Sequence, residues 1–194
     1  MILKQFTVSH CYPGRSHFAA VIGGVRRECL KITPTAKSPK LGDHTTLLPP
    51  FRAHPDEMRH FSMALEITQT LYEPIRTHRN EAKTKEFDFF RNPGNDALVL
   101  RLCLPEGYRS MIEKCREKIS DFAEWTFPPH DNIFHPHVCV VEEACLYSKI
   151  QPHMRRIQGS VPTIRFHLPF PQIMVKVVEN GNTHWEKFDP KKQY

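Results

Sequence analysis

Between residues 97 and 122 the spacing of apolar side chains changes from two to between three and four. No other feature of the chain constrains the fold as much. In ALVLRLCL, Leu98, Leu100, Leu102 and Leu104 fall on one face of an extended segment. Tyr108, Met111, Ile112, Cys115, Ile119 and Phe122 then make a helical stripe over 105–123. Three more stretches have helical spacing. Residues 15–30 carry Phe18, Ile22, Val25 and Cys29, and 55–73 carry Met58, Phe61, Leu65 and Leu71. The second of these opens on Pro55, Asp56 and Glu57, where a helix dipole favours negative charge. Residues 145–158 carry Leu146, Ile150, Met154 and Ile157, with Gly159 placed to end the helix. Strand patterns occupy QFTVSH (5–10), KEFDFF (85–90), TIRFHL and QIMVKVV, and the NGN at 180–182 predicts a hairpin over 171–188.

Helices thus alternate with strands along the chain. The expectation is an α+β fold of two similar, pseudo-symmetric halves, with 1–194 forming one domain of two lobes. No composition break or low-complexity tract separates the halves, and the 17 prolines mark many short loops.

Two short strands, each with helices before and after it, carry the same form. GDHTTLLPPF (42–51) places His44 two residues before Thr46, and FHPHVCVV (134–141) places His137 two residues before Cys139. Residues i and i+2 of a strand share a face, so each strand offers an imidazole beside a small polar group. By the same alternation Leu48 belongs with His44 and Thr46, and Val141 with His137 and Cys139. If both strands face one cleft, two imidazoles and two weak donors converge there. Imidazole titrates near pH 6.5, so one neutral and one protonated ring can coexist. One ring can take a proton from an attacking oxygen and the other can give one to a leaving oxygen, which needs no metal. The hydroxyl and the thiol can hold non-bridging phosphate oxygens, the thiol more weakly. A single H-x-T among 12 histidines is ordinarily a half-buried strand residue. The paired occurrence is what carries weight.

Composition narrows the classes. Hydrophobic content is 40%, charged content 25% and net charge +6, as in a globular protein that favours anionic partners. The six cysteines form no C-x-x-C pair, and Cys29 and Cys115 lie on apolar helix stripes. Reduced core thiols in a cytoplasmic protein are expected rather than zinc or disulfides. The start MILKQFTVSH lacks a signal-peptide core, and no apolar run reaches the roughly 20 residues of a membrane span. Neither G-x-x-x-x-G-K-[ST] nor G-x-G-x-x-G occurs, which disfavours ATP- and NAD-binding enzymes of those types.

The two motifs resemble the signature of the two-histidine phosphoesterases, the superfamily that includes bacterial 2′-5′ RNA ligase-like proteins and cyclic phosphodiesterases. HTTLLPPF is similar to the first motif of that family, including its L-x-P-P-F continuation, and FHPHVCVV to the second, including its F-x-P-H lead. Motif spacing and element order fit from about residue 5 to 188, including a closing hairpin with Trp185. The resemblance implies two lobes around a cleft, each an antiparallel sheet with helices on its outer face. It implies action on 2′,3′-cyclic phosphates or 2′-5′ linkages of nucleotides and RNA ends, and a monomer without a cofactor is expected. It places His44 and His137 as acid and base, and Thr46 as phosphate binder. Cys139 stands where the family has threonine or serine, so phosphate would be held less firmly at that corner.

Other residues admit two readings. His135, His137 and neighbouring His130 could clamp a metal, although no carboxylate accompanies them. Arg101 and Lys176 could line the cleft or be solvated face residues, and Phe127-Pro128-Pro129 could present an aromatic to a base. KTKEF (83–87) and the tail DPKKQY read as a solvated face and a frayed end, with an RNA-binding patch as the alternative. A rival function is a non-catalytic nucleotide- or RNA-binding module with the same cleft. A third is an interaction protein whose two histidines are structural.

Overall fold

The computed structural model of the chain describes residues 3–39, 41–71, 80–91, 94–126, 135–159 and 161–194. Within them, nine strands form two antiparallel sheets. The first sheet runs β5-β2-β1-β8-β9, from β1 (Lys4–Cys11), β2 (His44–Ala53), β5 (Glu124–Trp125), β8 (Pro171–Glu179) and β9 (Asn182–Lys187). The second runs β6-β4-β3-β7, from β3 (Glu81–Phe90), β4 (Asp96–Cys103), β6 (His137–Glu143) and β7 (Arg165–His167). Apart from the two-residue β5, the sheets correspond strand for strand. β2 matches β6, β1 matches β4, β8 matches β3 and β9 matches β7. The two lobes and the α+β class are as the alternation predicts.

Local sequence explains the element boundaries. α1 (His17–Ile32) starts where Ser16 Oγ accepts the Ala19 N–H at 3.1 Å. α2 (Pro55–Leu71) keeps Asp56 and Glu57 in its first turn. α3 (Tyr108–Ser120) begins at Gly107, whose φ of 93° suits glycine alone. The β8–β9 turn uses Asn180 and Gly181 at φ 50° and 76°, the pair of positive values that a two-residue hairpin loop requires. The single helix expected over 145–158 is instead three pieces: α4 (Leu146–Ile150), a 3₁₀ turn (Gln151–His153) and α5 (Met154–Gly159). Pro152 has no N–H to donate, so the α-helical ladder cannot run through it.

The helices cross between lobes. α1, which follows β1 of the first sheet, buries Phe18, Ile22, Val25 and Cys29 against Leu98, Leu100, Val138 and Val140 of the second. α3, which follows β4 of the second sheet, buries Met111, Ile112, Cys115 and Ile119 with Met58 and Phe61 of α2 against Leu47, Leu48 and Phe51 of the first. Each buried side chain of this size stabilises by about 1.5–3 kcal/mol. Neither core is complete without a helix from the other half of the chain, and the two motif strands are packed by the exchanged helices, β6 by α1 and β2 by α3.

The C-terminal tail is not frayed. Tyr194 packs on Phe188 at 5.2 Å, its hydroxyl accepts the Asp189 N–H, and Arg59 donates to the Pro190 carbonyl at 2.8 Å. Among the described residues, no helix is long and apolar enough to cross a membrane.

Candidate active site

The two motif strands are equivalent down to an irregularity. β2 pairs Ser9 with Thr46 and then Val8 with Leu48, so Leu47 is an extra residue. β6 pairs Val99 with Cys139 and then Leu98 with Val141, so Val140 is the extra residue. Both strands therefore bulge immediately after the second polar residue of the motif. Burial follows suit. His44, Thr46, His137 and Cys139 are half-buried, while Thr45, Leu47, Leu48, Val138, Val140 and Val141 are buried. The expected placement of Leu48 and Val141 on the histidine faces is thus corrected, because each bulge turns that residue into the core.

On the first lobe the face bearing His44 and Thr46 continues through Ser9 to Gln172, and along β8 to Met174 and Lys176. On the second, Arg101 pairs directly with His137 and Val99 with Cys139, and Asp88 lies across from Val99. Arg101 belongs to the His137 face and lines a cavity there, whereas Lys176 lies on the His44 face of its sheet but farther along β8 from the motif. Arg101 is ion-paired with Asp88.

Both imidazoles are held the same way. His44 Nδ1–H donates to the Gly42 carbonyl at 2.8 Å, and His137 Nδ1–H donates to the His135 carbonyl at 2.7 Å. A carbonyl only accepts, so Nδ1 carries the hydrogen and Nε2 is the nitrogen left for chemistry. Phe90 and His137 pack in a T-shaped arrangement, with centroids 4.5 Å apart. Burial lowers the pKa of both rings below the ordinary imidazole value. The opposing influences differ. At His44 the Gly42 carbonyl and the Glu142 and Asp43 carboxylates favour the charged ring. At His137 the His135 carbonyl does so, while the His44, His135 and Arg101 charges oppose it. The two rings therefore sit in unlike fields.

Sequence reasoning missed four residues that complete the site. Arg26 of α1 donates from Nε to the Val140 carbonyl at 2.8 Å and from Nη2 to the Asp43 carboxylate at 2.5 Å. One side chain thereby joins the residue before His44 to the bulge of β6. Glu142 exchanges two backbone hydrogen bonds with Lys37, at 2.8 and 2.9 Å. Its carboxylate accepts from the Cys139 thiol at 3.4 Å. Burial first, and Glu142 second, push the Cys139 pKa well above the usual thiol range, so this sulfur is a thiol and not a thiolate. Glu143 follows, bonded by Lys149, Thr33 and Thr35, which hold its carboxyl down to about 2 and tie the end of α1 to β6. Behind the first motif, the Tyr12 and Thr45 hydroxyls share a hydrogen bond of 2.9 Å. His10 is fully buried, and desolvation pushes its pKa down to about 4. The available signal for Asp43 and Glu142 was their adjacency to the motifs. For Arg26 it was a charge inside an otherwise apolar helix stripe.

Phe127, Pro128, Pro129 and His130 lie outside the described residues, and with them the base-stacking reading and the third arm of the metal clamp. The His135 side chain lines a neighbouring cavity together with Arg101.

No family model matches the chain, and no curated protein matches it in sequence. Solved structures do. The chain is similar to TT0787 of Thermus thermophilus, with 15% identity and a TM-score of 0.54 over 95% of each chain. It is similar to E. coli LigT complexed with 3′-AMP, with 12% identity and a TM-score of 0.55 over 97% of each. It is also similar to a phosphoesterase, with 12% identity and a TM-score of 0.51 over 97% of each. The likeness is one of fold, and it spans nearly the whole of every chain compared. The fold that the two-histidine resemblance implies is the fold observed.

Proposed function

We propose that this chain, built on the fold it shares with LigT and a phosphoesterase, is a metal-independent phosphodiesterase of the two-histidine type. Its substrates on this reading are 2′,3′-cyclic phosphates or 2′-5′ linkages at nucleotide or RNA ends. The observation that supports this best is the matched pair of motif strands. Two imidazoles stand at equivalent positions, each anchored through Nδ1 to the carbonyl two residues back and each leaving Nε2 without a hydrogen bond among the described residues.

The unlike fields assign the roles. His137, with Arg101 and His135 opposing its charge, is the neutral base. His44, with Glu142 and Asp43 nearby, is the protonated acid. Water attacks phosphorus as His137 Nε2 takes its proton, and the bond to the leaving sugar oxygen breaks as His44 Nε2 supplies one. Thr46 Oγ1 donates to a non-bridging oxygen. The kcat/KM profile against a cyclic nucleotide is expected to be bell-shaped. Since both free-enzyme pKa values are lowered, the form with one ring charged and one neutral is most populated below pH 6.5, and the maximum should lie there. Turnover in the presence of a chelator, with the rate followed from pH 4 to 9, checks this. A maximum above pH 7.5, or activity that needs added metal, overturns it.

One observation favours the rival reading of a binding module. The Cys139 thiol is engaged with Glu142, so the fourth corner already holds a carboxylate where a phosphate oxygen is wanted. A hydroxyl donates better than a thiol. Cys139→Thr is therefore expected to raise the rate by up to about tenfold, and Cys139→Val to lower it, since oxyanion donors are worth more than that when lost outright. A wild type that binds 3′-nucleotides without turnover, combined with turnover in Cys139→Thr, would establish the binding module. Equal rates in all three proteins would show that the thiol is packing alone.

A further inference from the structure

We propose that a basic cavity beside His137 is a second phosphate subsite. It would select substrates that carry a further phosphate beyond the one being cleaved. This rests on the phosphodiesterase reading and narrows its substrate class to phosphorylated nucleotide ends and oligonucleotides.

The cavity has a volume of about 300 Å³ and is lined by Lys85, Arg101, Tyr108, Arg109 and His135, among others. Among the described residues, no carboxylate lines it. Its position follows from strand register. His137 of β6 pairs with Arg101 of β4. The β3–β4 register slips between Thr84 and Phe87, so Lys85 and Glu86 together oppose Arg101. His137, Arg101 and Lys85 thus stand in one row across three strands. Two inter-strand spacings put the Lys85 backbone roughly 10 Å from that of His137, a separation one nucleotide can bridge.

The cations are available. Lys85 and Arg109 make no ion pair among the described residues, and both are exposed. Arg101 gives one arm of its fork to Asp88, while its Nε is buried without a partner. The Arg101 side chain as a whole is 31% exposed, so its guanidinium can turn toward an anion that enters the cavity. α3 opens on the same cavity through Tyr108 and Arg109, with no acidic residue in its first turn and no side chain capping it. Its N–H groups add to the positive field. A cavity with cationic walls attracts a second dianion better than a neutral nucleoside.

Calorimetric titration tests this without relying on turnover. At low salt, uridine 3′,5′-bisphosphate is expected to bind at least tenfold more tightly than uridine 3′-phosphate. In Lys85→Ala/Arg109→Ala the ratio should fall to near one, with thermal unfolding verifying that the variant is folded. A dinucleotide ending in a 3′-phosphate, run beside the bisphosphate, shows whether the subsite takes a terminal monoester or a backbone diester. Equal affinities in the wild type, or a ratio untouched by the double substitution, overturn the subsite. His44→Ala should keep the bisphosphate preference while losing turnover. A protein that prefers the bisphosphate but turns over no diester therefore refutes the catalytic reading and leaves the subsite standing.

Discussion

His44→Ala and His137→Ala should each lower kcat/KM for a 2′,3′-cyclic nucleotide by about 10²–10⁴-fold, the range that a positioned general acid or base contributes. On the proposed mechanism the two act on one transition state, so the double variant should be little worse than the poorer single one. Residual activity should separate the roles. The acid must be charged and the base neutral. His44→Ala should therefore abolish the fall in rate on the alkaline side, and His137→Ala the fall on the acid side. Fold loss is not expected, because both rings are half-buried and the cores lie behind Thr45 and Leu47 on β2, and behind Val138 and Val140 on β6. Nucleotide binding should survive in both variants. Rates within threefold of wild type in either variant would remove that histidine from the chemistry.

What the sequence showed and what it concealed divide along a physical line. Element type follows from local spacing, and the stripes at Phe18–Cys29 and Met111–Ile119 became the buried faces of α1 and α3. The candidate site was legible because i and i+2 of a strand share a face whatever the partner strand does. Beyond Thr46 and Cys139 that reasoning failed. A bulge belongs to the pairing of two strands, β2 with β1 or β6 with β4, and no window along one strand contains it. The exchange of α1 and α3 between lobes is likewise set by long-range packing. Arg26 was passed over because a helical stripe directs attention to apolar positions, whereas its partners lie 17 and 114 residues away. Pro152, by contrast, was visible and should have divided the fourth helix.

Arg26 is where the exchange of helices meets the proposed chemistry, and Arg26→Met should expose its role. The Arg26 and Asp43 side chains are only 17% and 13% exposed. Methionine fills similar volume but leaves a largely desolvated carboxylate and the Val140 carbonyl without their donor. Breaking a buried pair costs about 3–5 kcal/mol. Allowing for the water that reaches this one, about 2–4 kcal/mol is expected. In a chain of this size that lowers Tm by roughly 5–15 °C. Asp43→Asn added to Arg26→Met should recover part of the loss, since it removes the orphaned charge. The catalytic effect is distinct from the stability effect. Asp43 precedes His44 and Val140 follows Cys139, so one side chain sets the spacing between the motif strands. Misplacement by about 1 Å can cost 10²-fold. At a temperature well below its Tm, the folded variant should therefore lose kcat by about 10- to 100-fold while its pH profile stays bell-shaped, because both imidazoles remain. Arg26→Lys keeps the charge without the fork and should fall between. A stable, folded Arg26→Met with kcat within twofold of wild type would mean that the clasp holds the lobes together and does nothing for the histidines.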